Sequence, residues 1–248
     1  SARFDEAAMS GASLESSNLS EASFCRAHLS AADFTDCDLT QADFTGAQMS
    51  GALFLRCNLN RAKLDNSKLF GARLIDAKLN NASLRNAELT SAKLRGAQME
   101  NADFMNGNLF NTDFSNANLL FSNFETANLR SAILSGAIIR HARMEGANMA
   151  NSRLTRADFS QASLEESNLR SARVSGSLFG RTNVKAANLM ATGLSKKFAL
   201  SEFPDLEFSN LTTWDSELQR QRHISQAQNQ RLAREVKKRG FFSRIFSR

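Results

Sequence analysis

Proline, tyrosine, histidine and cysteine are scarce in this 248-residue chain, which holds one Pro, no Tyr, three His and three Cys. The histidines, His28, His141 and His223, lie far apart with neither metal-ligand nor catalytic-triad spacing. The 12 glycines form no phosphate-binding loop. The chain is therefore expected to be no enzyme, with no cofactor and no metal. Three cysteines make no disulfide framework. No apolar run approaches the ~18 residues of a membrane span, and no stretch reads as a signal peptide. The expected location is the cytoplasm, with membrane association or secretion without a classical signal peptide as alternatives.

What is abundant is a period of five. Every fifth residue from Phe4 to Leu194 is Leu, Phe, Met, Ile or Val, and a small residue stands two positions before each, Ala in most cases. Neither an amphipathic helix nor an alternating strand has this period. With one large and one small inward residue per five, the chain must turn inward twice and outward three times per unit. Stacked turns of a polygonal coil satisfy that requirement. Many outward positions are Ser or Thr, but none has a base beside it in this frame.

Ala32-Asp33-Phe34-Thr35-Asp36, Ala117-Asn118-Leu119-Leu120-Phe121 and Ala187-Asn188-Leu189-Met190-Ala191 match the pattern A(D/N)LXX. The chain resembles the pentapeptide-repeat family over about four-fifths of its length. The resemblance implies an all-β solenoid: a right-handed, four-sided β-helix with one repeat per side, here of about ten coils, ending in a short C-terminal cap and an α-helix. Residues 1–195 would form the β-helix, 196–212 the cap and linker, and 213–248 the helix and a basic-aromatic tail.

Phe recurs centrally at 24, 34, 44 and 54 and again at 104, 114 and 124. A spacing of ten is half of a twenty-residue coil, so these rings should come from two opposite sides and stack rung on rung. At roughly 4.8 Å per rung the rod would be about 45 Å long. Cys37 and Cys57 should be vertical neighbours at small inward positions. Two reduced thiols are the expectation and a disulfide the alternative. The repeat begins in phase at Ala2 and Phe4 with no cap before it. Either an upstream segment has been removed, or Asp5, Glu6, Glu15 and Glu21 keep the open edge soluble.

Charge falls in blocks. Residues 1–55 have a net charge of −6, residues 56–95 a net +6 and residues 96–195 a net +1. The positive block forms a collar that includes Arg61, Lys63, Lys68 and Arg73. Its functional reading is a site for an acidic partner or a phosphate backbone. The lack of interleaved outward aromatics beyond Phe70 argues against nucleic acid, and spread over four sides favours a solvated surface. A second outward feature is apolar: Leu53, Leu55 and Ile75 with Phe70 round the corner, then Phe110, Leu120, Phe121, Ile133 and Ile138. These are candidate partner-binding residues. Asn66, Asn86 and Asn106 recur at one corner, where Asn side chains bond turn backbone. Glu125, Glu145 and Glu165 stack as a hydrated acidic face, with a weak cation site as the alternative.

After Leu194 the period stops. Phe198, Leu200, Phe203, Leu206, Phe208 and Leu211 should fold over the last coil as its cap. Thr213 reads as the N-cap of a helix that ends before Gly240. Trp214 and Leu218 are candidates for docking or dimerisation. So are Phe241, Phe242, Ile245 and Phe246 of the tail, which suit a partner groove or a membrane interface.

Three functions follow as expectations. The leading one is a non-enzymatic protein–protein interaction scaffold, its partner unidentified, with a homodimer through the C-terminal region as a further expectation. The second comes from the resemblance: some relatives mimic duplex DNA and bind type II topoisomerase, conferring quinolone or self-toxin resistance, although only residues 1–55 have the required sign here. The third is a membrane-associated or secreted bacterial effector. Direct nucleic-acid binding is not expected.

Overall fold

The computed structural model describes residues 2–210 and 212–214. Four columns of parallel bridges run through them, each link as far as Asn188 spanning twenty residues. The first side starts with Arg3 on Ser23, the second with Ala8 on His28, the third with Ser13 on Asp33 and the fourth with Asn18 on Asp38. The coil of four pentapeptides expected from the spacing is therefore present. Its β character is that of single bridges: among the described residues no strand forms, and one short helix is the only named element. The reason is the period itself. Each side has one outward bridging residue between two inward ones before the chain must turn.

Each corner closes by a hydrogen bond. Ala27 N–H donates to the Phe24 carbonyl at 3.0 Å, and Arg26 between them has φ 56°. Positive φ at the third residue of such a turn is the type II signature. Asn66, Asn86 and Asn106 occupy this position at φ 58°, 56° and 58°, which Asn tolerates better than most residues. Backbone tolerance accounts for their ladder. The bonding of side chain to turn backbone expected of them comes instead from the Asp or Asn before each central residue. Asp38 Oδ1 accepts from the Thr40 N–H at 3.1 Å and the Thr40 hydroxyl at 2.6 Å, and Asp113 holds Ser115 in the same way. This is the physical reason for D/N in the repeat.

The large and small inward residues are buried from Ala22 to Leu189, whereas Phe4, Met9, Leu14 and Leu19 of the first coil are half-buried. Aromatic rings fill two opposite sides. Phe24 lies parallel to Phe44 at 4.8 Å and Phe104 to Phe124 at 4.8 Å. Cys37 and Cys57 are buried free thiols. Each donates to a backbone carbonyl, Cys37 to Leu14 at 2.9 Å and Cys57 to Phe34. Burial pushes the Cys57 thiol up to about 12 and moves Cys37 the same way. They behave as small core residues.

Helix α1 (Lys196–Glu202) breaks the repeat. Ser195 precedes it, a residue type suited to an N-cap, and accepts the Ala199 N–H at 2.9 Å through its carbonyl. Pro204 lies two residues past its end. The chain then rejoins the stack: Glu207 bridges Asn183 and Thr213 bridges Asn188. The cap is thus half helix and half extra rung. Ala199 and Leu206 are buried, and Phe203, Phe208 and Trp214 pack against the core. Thr213 differs from its expected place as a helix N-cap. It is extended, donating its N–H to the Ala187 carbonyl at 2.9 Å. A helix beyond it, with Leu218 and the tail residues Phe241, Phe242, Ile245 and Phe246, lies outside the described residues.

Candidate partner-binding surfaces

The corner between the fourth and first sides brings exposed apolar residues together on neighbouring rungs. Leu119 N–H donates to the Ile138 carbonyl at 2.7 Å and Phe121 N–H to the Arg140 carbonyl at 3.0 Å. These bonds set Leu120 and Phe121 one rung from Ile138 and His141. The Phe121 ring stacks on the His141 imidazole at 4.8 Å with a 23° tilt. Phe121 is 47% exposed and Ile138 45%, whereas Leu120 is half-buried. Leu178, two rungs above Ile138 on the fourth side, is 52% exposed.

Phe121 has φ 58°, and among the described residues it is the one large apolar residue of the non-glycine residues at positive φ. Bulky residues are rare in that region, and held there they cost of order 1–3 kcal/mol. Polar residues hold the corresponding corner in the other coils, for example Gln41, Asn81 and Asn101. The chain thus places a strained aromatic where an Asn would sit at ease.

The remaining apolar candidates are dispersed. Leu53, Leu55 and Ile75 are half-buried on the third side, as is Ile133. Phe70 and Phe110 are exposed at the corner between the second and third sides. Trp214 packs edge-on to Phe208 at 6.0 Å, and the Lys196 ammonium lies 4.5 Å from the Phe208 ring centroid. Trp214 is accordingly part of the cap. Leu178 and Met190 are exposed apolars that sequence reading passed over.

The collar cations do not converge. Lys63 lies on the first side, 3.7 Å from Asp43. Lys68 is on the second side, Arg73 on the third, and Arg61 at the corner before the first. Arg56 pairs with Asp36 at 2.6 Å, and hydrogen bonding to that guanidinium holds the Asp36 carboxyl below its usual range. Among the described residues the Glu125, Glu145 and Glu165 column is paired only in part, and Glu145 Oε2 accepts no hydrogen bond. Arg143 reaches Glu125 at 2.8 Å and Glu145 at 4.0 Å, and Asn183 donates to Glu165 at 3.0 Å. Among the described residues no group of His, Cys, Asp and Glu is arranged to hold a metal, and no helix is long and apolar enough to cross a membrane.

A cationic feature absent from the block arithmetic runs up the third side. Its outward column has Arg73 bridged to Lys93 and Arg153 bridged to Arg173. Its flanking corner positions add Arg95, Arg130, Arg156 and Arg170. Among the described residues none of these eight makes an ion pair or a side-chain hydrogen bond, and all but the half-buried Lys93 are exposed. Asp76 and Asp113 are the acidic residues on the same face over those coils. Summing charge along the chain hides this face, because it averages all four sides; reading every twentieth residue would have found it.

Comparison with known proteins agrees with the repeat. A family model described as a pentapeptide repeat region matches residues 1–64, and one described as pentapeptide repeats (8 copies) matches residues 67–106, 108–146 and 142–181. Among solved structures, HetL matches, a pentapeptide repeat protein involved in heterocyst differentiation regulation in the cyanobacterium Nostoc sp. strain PCC 7120. It is 26% identical, covering 78% of this chain and 91% of its own, with a TM-score of 0.41. QnrB1, a plasmid-mediated fluoroquinolone resistance protein, is 20% identical, covering 80% of this chain and 90% of its own, with a TM-score of 0.51. No curated protein matches the sequence.

Proposed function

This chain belongs to the pentapeptide-repeat family, and on that footing we propose that it is a non-enzymatic protein–protein interaction scaffold built on a right-handed solenoid. The observation that carries the reading is Phe121, an aromatic side chain both exposed and held at positive φ. Exposure forgoes burial energy and the backbone strain adds to the cost, so a benefit outside folding must retain it. Leu120, Ile138 and the His141 ring stacked above Phe121 complete a patch at the corner. A partner would cover it with an apolar surface of its own.

The test is a pull-down on the immobilised full chain, comparing the parent with the double variant Phe121→Asn/Ile138→Ser. Phe121→Asn removes the strained aromatic while keeping a residue suited to the corner. A partner captured by the parent and lost from a folded variant supports the patch. Equal capture by both removes the patch from the reading. The C-terminal region is proposed as a docking or dimerisation element on its sequence alone, and a chain ending at Arg239 tests it by the loss of a dimer in sedimentation.

The topoisomerase reading stands second. Similarity to QnrB1 at 20% identity supports the fold. A duplex mimic needs a continuous acidic face, and acid predominates in residues 1–55 alone. Protection of a type II topoisomerase from a quinolone by the purified chain would reverse this order.

A further inference from the structure

The third side poses a problem that the apolar corner does not answer. Arginines and lysines on the first side find carboxylates: Lys63 is near Asp43, Arg85 pairs with Asp103, and Arg143 pairs with Glu125. The eight cations of the third side find none among the described residues. In its outward column Arg73 stands directly beneath Lys93 and Arg153 beneath Arg173. Like charges on adjacent rungs repel. The face accepts that repulsion twice with two acids beside it among the described residues, a cost that an anionic partner lying on the face would offset.

We propose that the third side is a docking face for an anionic lipid bilayer. Three observations choose a planar anionic surface over a threadlike polyanion. First, the cations spread across the whole width of the side: Arg73 and Arg153 are in the bridging column, Arg130 and Arg170 at one corner, and Arg95 and Arg156 at the other. A phosphate chain would be followed by a line of charge in a groove, whereas a plane is matched by a field of charge. Second, each rung presents the same outward positions at a constant rise, so the side is level. From Arg73 to Arg173 there are five rungs, about 24 Å. Third, Phe70 and Phe110 are exposed along the edge of this face, 57% and 40%, with Met190 farther up the same corner. Apolar side chains beside basic ones are the composition of a surface that rests on headgroups and dips an edge among acyl chains.

Seven of the eight cations are arginine, whose planar fork pairs with phosphate oxygens in two-point contacts. Each cation near an anionic leaflet adds to attraction that decays within a Debye length. The other sides balance their charges more closely, so the orientation is determined: third side down, with the Phe121 corner away from the lipid and free for a protein. The inference is independent of the scaffold reading because the two faces share no residue.

The experiment is flotation of the full chain with vesicles of phosphatidylcholine alone or with added phosphatidylglycerol, at low and high salt. The expected result is binding that needs phosphatidylglycerol, weakens with salt, and falls at least tenfold in the triple variant Arg73→Glu/Arg153→Glu/Arg173→Glu. A control triple variant, Arg61→Glu/Lys68→Glu/Lys78→Glu, reverses as many unpaired cations on the other sides. It is expected to float like the parent. All positions are exposed, so both variants should retain the parent melting temperature. Absence of flotation with phosphatidylglycerol overturns the proposal. Equal losses in the two triple variants overturn it too, since net charge alone would then act. Unchanged flotation of the third-side variant would assign lipid binding to another part of the chain, and capture of a single-stranded oligonucleotide without vesicle binding would assign the face to nucleic acid. Loss of lipid binding with intact partner capture, or the reverse, separates this proposal from the scaffold reading.

Discussion

The ring of Phe54 lies parallel to that of Phe34, 4.9 Å away and tilted by 2°. Phe44, from the opposite side, meets the two edge-on at 5.7 and 5.9 Å. One ring therefore contacts two coils. Phe44→Ala is expected to cost ~3–5 kcal/mol, and Phe114→Ala, held edge-on by Phe104 and Phe124 at 5.8 and 5.9 Å, should cost about as much. Urea denaturation measures both. A loss below ~1 kcal/mol would mean that the coils relax into the space.

Ala92 is fully buried, and its N–H and carbonyl are both bonded, to Leu89 and Asp113. A larger side chain here meets the opposite side of the coil, and the ladders above and below prevent the wall from moving out. Ala92→Leu is expected to destabilise by about 3 kcal/mol, at the upper end for overpacking. A variant as stable as the parent in the same denaturation would show a softer wall than the bridges imply.

Serines at the small inward position are not equivalent. Ser67 and Ser167 donate their buried hydroxyls to the carbonyl three residues earlier at 2.6 Å, whereas the buried Ser152 hydroxyl has no partner. Ser67→Ala should cost ~0.5–1.5 kcal/mol, and Ser152→Ala should be neutral or stabilising by up to ~1 kcal/mol. Thermal melts should fall for Ser67→Ala and hold or rise for Ser152→Ala; a comparable fall in both would refute the assignment.

The Cys57 thiol titrates at about 12 in the folded protein against an ordinary 9.0, and desolvation is the main cause. Above pH 9 the unfolded thiol releases its proton and the folded one retains it. The stabilisation from a neutral Cys57 is thus whole below pH 9 and is lost as pH rises towards 12. The parent should lose stability across that window more steeply than Cys57→Ala, by up to ~4 kcal/mol at the far end. Parallel denaturation curves between pH 8 and 11 make the comparison, and identical slopes would remove Cys57 as the cause.

The fold was legible because a period of five leaves one arrangement of inward residues. The stacks at Phe24, Phe34, Phe44 and Phe54 and the free thiols at Cys37 and Cys57 stand where that period put them. The cap was read less well. Helix α1 and the rung made by Glu207 and Thr213 have no period, and Thr213 resembles an N-cap locally while its backbone is taken up by Ala187 and Leu189. The candidate surfaces were legible in part. Phe121 and Ile138 were visible as apolar residues at outward positions, but the strain at Phe121 follows from a φ angle that no spacing reports.

The sequence by itself determined the coil, its twenty-residue register and its core, because burial acts on every repeat in the same way and local pattern carries it. Only the tertiary structure decided which charges meet. Lys63 and Asp43 are twenty residues apart and adjacent in space, and Arg73 and Arg173 are a hundred residues apart on one face. Electrostatic neighbours are made by stacking, which brings distant residues within a few ångströms, so a sum along the chain cannot see them.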